Sequence, residues 1–147
     1  MRRTVVRFIA AAVLAPLAAL PVAAQQFINV LTGGTSGVYY PLGVALSQIY
    51  GKAMPDAKAT VQATKASAEN LNLLQAGRGE IAFSLGDSLN DAWKGNEESG
   101  FKTPLKKLRG LSATYNNDIQ IVASADSGIK TLADLKGKRV SVGAAKS

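Results

Sequence analysis

Three short polar turns hold the residues of this chain best suited to chemistry: Thr32-Gly33-Gly34-Thr35-Ser36-Gly37, Thr64-Lys65-Ala66-Ser67 and Gly86-Asp87-Ser88. The 147-residue chain contains no His and no Cys. That excludes Ser-His-Asp and Cys-His catalysis, the usual zinc ligand sets, haem and iron–sulfur ligation, and any disulfide framework. General acid–base work would fall on Asp87, Asp91, Glu69 or Glu80, and no close pair of these with a nucleophile stands out. No catalytic residue, metal ligand or cofactor is therefore assigned, and these residue types favour binding over catalysis without excluding an enzyme whose partner groups lie elsewhere.

The first turn does not match either common nucleotide-binding pattern. A dinucleotide fingerprint needs Gly-x-Gly-x-x-Gly, and a phosphate loop ends in Gly-Lys-Ser/Thr. Here Gly33-Gly34-Thr35-Ser36-Gly37 runs into Val38-Tyr39-Tyr40, with no Lys to reach a phosphate. The plain alternative is that these glycines only permit a tight turn.

The elements around the turns follow from hydropathy patterning. Phe27-Ile28-Asn29-Val30-Leu31 reads as a buried strand. After it, Leu42, Ala45, Leu46 and Ile49 fall on one helical face, with Pro41 near the start and Gly51 as a stop. Residues 60–64 alternate like a strand, and Ser67 caps a helix that turns Leu71 and Leu74 inward and ends at Gly77. Ile81-Ala82-Phe83-Ser84-Leu85 is a third strand, followed by a short helix through Trp93 and a polar surface loop over residues 94–103. Further strands are expected over 108–115, 119–123 and 139–142. A capping box at Thr131-Leu132-Ala133-Asp134 opens a short helix ended by Gly137. Strands alternating with helices predict an α/β fold with a parallel sheet and right-handed crossovers.

In such a sheet the three turns lie together at the carboxyl edge, where open α/β folds bind ligands. Each opens a helix, so unpaired N–H groups and the positive helix end suit a small anion. Hydrogen bonds to a charged group contribute ~1.5–3 kcal/mol each, and two or three could support roughly micromolar affinity. Thr35, Ser36 and Ser67 have helix capping as their alternative role. Tyr39 and Tyr40 point to different faces, one to the core and one to the crevice. Asn70 reads as a helix-surface group. Asp87 either complements the helix dipole or binds a ligand ammonium, and Trp93 is core or lid.

Residues 1–24 read as an export signal. Arg2, Arg3 and Arg7 precede an Ala- and Leu-rich run, and Val22-Ala23-Ala24 supplies a cleavage pattern before Gln25. The run is short of the ~20 apolar residues of a membrane span, and Pro16 and Pro21 interrupt it. Removing it takes three Arg and no acid, so 17 Lys plus Arg become 14 against 10 acids, and the charge falls from +7 to +4. Lys106, Lys107 and Arg109 form the tightest basic group but lack interleaved aromatics, so no nucleic-acid partner is expected and a solvated face is.

The run Leu31-Thr-Gly-Gly-Thr-Ser-Gly-Val-Tyr-Tyr-Pro-Leu-Gly43 resembles the opening signature of the TAXI family of solute receptors, which serve tripartite ATP-independent periplasmic (TRAP) transporters. Agreement continues through Gln62-Ala63-Thr64-Lys65-Ala66-Ser67, Glu69-Asn70-Leu71, Ile81 to Asp87, and Asp126-Ser127-Gly128-Ile129 leading to Asp134-Leu135-Lys136-Gly137-Lys138-Arg139-Val140, covering essentially residues 27–147. The resemblance implies a periplasmic receptor of the type II binding-protein kind, with two α/β lobes that close on a small carboxylate or amino-acid-like solute such as glutamate. It would deliver that solute to a TRAP membrane permease. Carried over by position, the first-lobe contacts would be Gly34, Thr35, Ser36 and Tyr39, with Ser67 and Asp87 beside them.

On this reading residues 25–123 form the first lobe and 124–147 the crossover and start of a second. A strand over 139–142 with no covering helix after it predicts a truncated piece of a longer receptor. Two other readings remain: a fragment of an exported α/β hydrolase or transferase, and a non-functional truncated surface antigen.

Overall fold

The computed structural model describes residues 25–144; the export signal expected over 1–24 lies outside the described residues, as do residues 145–147. Three parallel strands form one open sheet: β1 (Gln26–Leu31) lies in the centre, with β2 (Ala57–Gln62) on one side and β3 (Ile81–Ala82) on the other. Register runs from Gln26 opposite Ala57 to Leu31 opposite Gln62, and places Val30 opposite Ile81. Helix α1 (Tyr39–Ala53) links β1 to β2, α2 (Ser67–Gln75) links β2 to β3, and α3 (Gly86–Lys94) follows β3. This is the α/β architecture with parallel strands that the alternating pattern predicts.

Central position explains the composition of β1. Ile28, Val30 and Leu31 are buried, as expected of a strand covered on both faces. On one face, Gly43 of α1 brings that helix directly against the sheet: a Cβ there would collide with the γ-methyl of Thr32 and touch the Cγ1 atoms of Val30 and Val61. The buried line of α1 therefore runs through Gly43, while Leu42, Ala45 and Ile49 are exposed. The spacing of the apolar residues thus misplaces the packing face. The close approach permitted by a glycine set the rotation of the helix, not the largest side chains. The helix also continues through Gly51 to Ala53.

The other face carries the main cluster. Ala68 and Leu71 of α2 and Ala92 of α3 pack around Phe101, Leu105 and Leu108, with Leu74 and Leu89 at the margin. Phe101 is the largest fully buried side chain. It comes from the stretch 94–103 expected to be a polar surface loop. The chain turns there because Gly95 takes a left-handed conformation, φ 74°, as the α3 C-cap. Phe101 N–H then bonds Asn96 O and Leu105 N–H bonds Ala92 O, seating the one apolar residue of the loop under the helices.

Several expected elements differ. β2 begins three residues earlier than its alternation suggests, and β3 holds only two residues. Residues 108–115, 119–123 and 139–142 are not strands. Strand preference expresses packing against neighbours more than a backbone tendency. Apart from Leu108, which joins the core, the large apolar side chains of these segments face solvent, with Ile119 at 92% and Val122 at 88% exposure. The Thr131–Asp134 capping box is present, but it opens a single 3₁₀ turn, Leu132–Leu135. The N–H groups of Lys130 and Thr131, then the Thr131 hydroxyl, hold the Asp134 carboxyl below its ordinary value. Among the described residues no helix is long and apolar enough to cross a membrane.

Because Phe101 fills the space between α2 and α3, Phe101→Ala is expected to destabilise the fold by about 3–5 kcal/mol. Urea unfolding should show the midpoint falling with an unchanged slope.

Candidate functional site

The three turns meet at the carboxyl edge of the sheet, and one buried side chain ties them. Asn70, in α2, is fully buried. Its Nδ2 donates to Thr32 O at 2.6 Å, where the chain leaves β1, and to Phe83 O at 2.8 Å, where it leaves β3. Its Oδ1 accepts from the Thr64 hydroxyl at 2.6 Å, in the turn after β2. A single primary amide thus spans all three exits, using both donors and an acceptor. Backbone bonds reinforce it, from Thr32 N–H to Gln62 O at 3.0 Å and Thr64 N–H to Gly33 O at 3.3 Å. No buried side-chain polar atom among the described residues is left without a partner.

The expectation that Asn70 is a surface group is overturned. With Leu71 and Leu74 facing inward, positions 67, 70, 71 and 74 follow the i, i+3, i+4, i+7 spacing of one helix face. Periodicity therefore carried the signal; reading Asn as a surface type concealed it. Ser67 lies on the same face and is also fully buried. Its hydroxyl accepts from Leu85 N–H at 3.1 Å and makes no capping bond. Ser67 is therefore a tie between α2 and the exit of β3, not the expected helix cap. These bonds also account for the brevity of β3: side chains of α2 take over groups that a longer strand would give to a ladder.

The other expected contact residues are distributed as follows. Gly34, Thr35 and Ser36 form an exposed turn closed by Gly37 N–H to Gly34 O at 2.9 Å. Neither hydroxyl caps α1, whose N-cap is Val38, and among the described residues neither has a partner in the chain. Gly33 sits where a Cβ would be 3.5 Å from the Ala66 Cβ and 3.7 Å from Tyr39 Cδ2, so the first and second turns are in contact. Of the two tyrosines, Tyr39 belongs to this edge: its ring stacks on Phe83 with centroids 5.3 Å apart and 16° between planes. Asp87 is exposed in the first turn of α3, and its Oδ1 accepts from Ser88 N–H at 2.6 Å. Burial first, then Tyr115 and Asp87, push the Tyr39 phenol above its ordinary value. Thr64, Phe83 and Tyr115 belong to this edge too. Tyr115 comes from a segment with no regular structure, so no periodicity could have assigned it.

All three helices that begin here start without a side-chain cap. Their first-turn amides are thus left for solvent or a ligand, apart from the Ser88 N–H held by Asp87 and Pro41 of α1, which has no N–H to give. The entry to α2 is strained as well. Ala66, its N-cap, has φ 70° and ψ −142°, a region that side chains other than glycine rarely adopt. Ala66 N–H donates to the Thr64 hydroxyl at 3.0 Å, and Glu69 reaches back to Lys65 N–H at 2.7 Å, which together impose the conformation. No group of three or more metal-ligating side chains converges among the described residues. Trp93 is not in the core: it lies on the last turn of α3, 45% exposed, with Lys106 Nζ 4.2 Å from its ring centroid.

Residues 30–147 match the NMT1-like family, a periplasmic-binding-protein-like family.

Asn70→Asp would set a carboxylate against two carbonyl oxygens, so its folded-state pKa would rise above the unfolded ~3.9. The variant is expected to lose about 3 kcal/mol at pH 7, with the deficit shrinking as acid protonates the group and restores a donor. Urea unfolding at pH 7 and pH 4.5 checks this; equal deficits would refute it. Ala66→Gly removes strain of ~1–3 kcal/mol while adding ~0.4–1 kcal/mol of unfolded-state entropy. A net gain of about 1 kcal/mol in thermal unfolding is expected.

Proposed function

The chain belongs to the NMT1-like family, whose members have an extracytoplasmic solute-binding role, and on that premise we propose that it is a receptor of the TAXI type serving a TRAP transporter. It captures a small carboxylate or amino-acid-like solute, such as glutamate, in the periplasm and passes it to a membrane permease. Residues 1–24 serve as the export signal, 25–123 form the first lobe, and 124–147 lead into a second. Gly34, Thr35, Ser36, Tyr39 and Asp87 line the first-lobe side of the site. The buried Ser67 hydroxyl is already used internally, so Ser67 contributes its backbone N–H.

One observation carries this reading: three helix N-termini without side-chain caps, gathered at one sheet edge by Asn70. Amides in that position are preorganised donors for a carboxylate, and the dipoles of α1, α2 and α3 add to their attraction. The exposed hydroxyls of Thr35 and Ser36 extend the same donor set.

Titration calorimetry of the chain with glutamate tests the proposal. Saturable heat is expected from a receptor carrying both lobes and weak heat or none from residues 25–147 alone, with the solute recovered unchanged by chromatography; conversion would instead favour an exported hydrolase or transferase. Thr35→Val removes one hydroxyl while keeping the side-chain shape, and is expected to weaken binding about fivefold to tenfold. An unaltered affinity would remove Thr35 from the site.

A further inference from the structure

The rim of the crevice holds a second kind of recognition element that the carboxylate-binding amides do not use. Tyr39 is held by its stack on Phe83, and Tyr115 meets it at 6.4 Å between centroids with 54° between planes. The two phenol rings thus form an open angle, not a stack. Solvent reaches it: Tyr39 is half-buried, and Tyr115 is 45% exposed. Asp87, exposed in the first turn of α3, is near enough for its charge to add to the upward push on the Tyr39 phenol. Its Oδ1 is engaged by Ser88, whereas among the described residues Oδ2 accepts no hydrogen bond from the chain.

Aromatic faces next to a carboxylate attract cations, through the ring quadrupole and through charge. The chain fills one such aromatic face from within, placing Lys106 over Trp93 at 4.2 Å. Among the described residues no Lys or Arg is so placed over Tyr39 or Tyr115. The Tyr39 phenol, pushed up by burial and then by Tyr115 and Asp87, stays neutral.

We propose that Tyr39, Tyr115 and Asp87, braced by Phe83, form a subsite for an ammonium group, primary or N-alkylated, carried by the solute. The inference rests on the receptor reading and deepens it. The solute is zwitterionic: its carboxylate lies on the helix amides, and its ammonium lies between two phenol faces and Asp87. A dicarboxylate without nitrogen would satisfy the first group of contacts and leave the second in water.

Two separate probes test the two halves, read by NMR on the whole chain. Tetramethylammonium chloride is expected to shift the ring protons of Tyr39 and Tyr115 saturably, at millimolar concentration to an order of magnitude. Equal sodium chloride should move neither. Asp87→Asn and Tyr115→Leu, both at exposed positions, are expected to weaken that binding about fivefold each. The absence of a saturable ring shift, or an affinity unaltered in both variants, would overturn the subsite. Glutarate reports on the amides alone, through Thr35, Ser36 and Ser67 N–H shifts. Ring shifts with tetramethylammonium but no amide shifts with glutarate would sink the carboxylate-receptor reading and leave the cation subsite standing; the reverse result would do the opposite.

Discussion

The carboxyl edge of this fold depends on one buried amide. A parallel sheet delivers each strand end to the same edge, yet nothing in strand pairing fixes how the chain leaves it. Asn70 supplies that constraint, because its two N–H donors hold the exits of β1 and β3 while its oxygen holds the turn after β2. Only Asn or Gln presents donors and an acceptor in one neutral group, and α2 brings the short one within reach of all three. A buried polar network of this kind is favourable when every member is satisfied and costly when one is missing. Here the members are satisfied, so the chain exits beside the turns are tied to one another.

The same edge also carries local departures from what stability favours. Three helix starts lack side-chain caps, and Ala66 sits in a conformation suited to glycine. Each departs from what stability alone would select, at ~0.5–2 kcal/mol for a missing cap and ~1–3 kcal/mol for the backbone. They cluster at the site, while the packing that offsets them lies beneath α2 and α3 around Phe101, Leu105 and Leu108. Local rules broken at one edge and kept in the core are the expected mark of a binding surface.

How much of this could be read beforehand depended on whether the signal was local. Phe27-Ile28-Asn29-Val30-Leu31 announces a central strand because burial on both faces demands an unbroken apolar run, and the helix starts follow from their polar turns. Gly43 defeated the reading of α1 because close approach leaves no hydropathy signature. Phe101 was hidden in a polar loop, since one aromatic among charges reveals its burial only when Gly95 reverses the chain. Ser67 and Asn70 share the helix face of Leu71 and Leu74, so position marks them as buried although their residue types suggest the surface. The segments 108–115 and 119–123 show the opposite error, since β-forming composition makes no strand without a partner to pair with.

The donor set also bears on why such an edge suits capture and release better than turnover. Backbone amides do not titrate, so they stabilise an anion without a proton to give or take, and their geometry is already fixed before the ligand arrives. An acid–base enzyme needs the reverse: a side chain whose pKa lies near working pH and within reach of the reacting atom. At this edge the phenol of Tyr39 is moved upward, away from neutrality, by burial and by Tyr115 and Asp87. Fixed dipoles of this kind can hold a ligand through many weak bonds that are surrendered one by one, which suits the solute-binding role of the family.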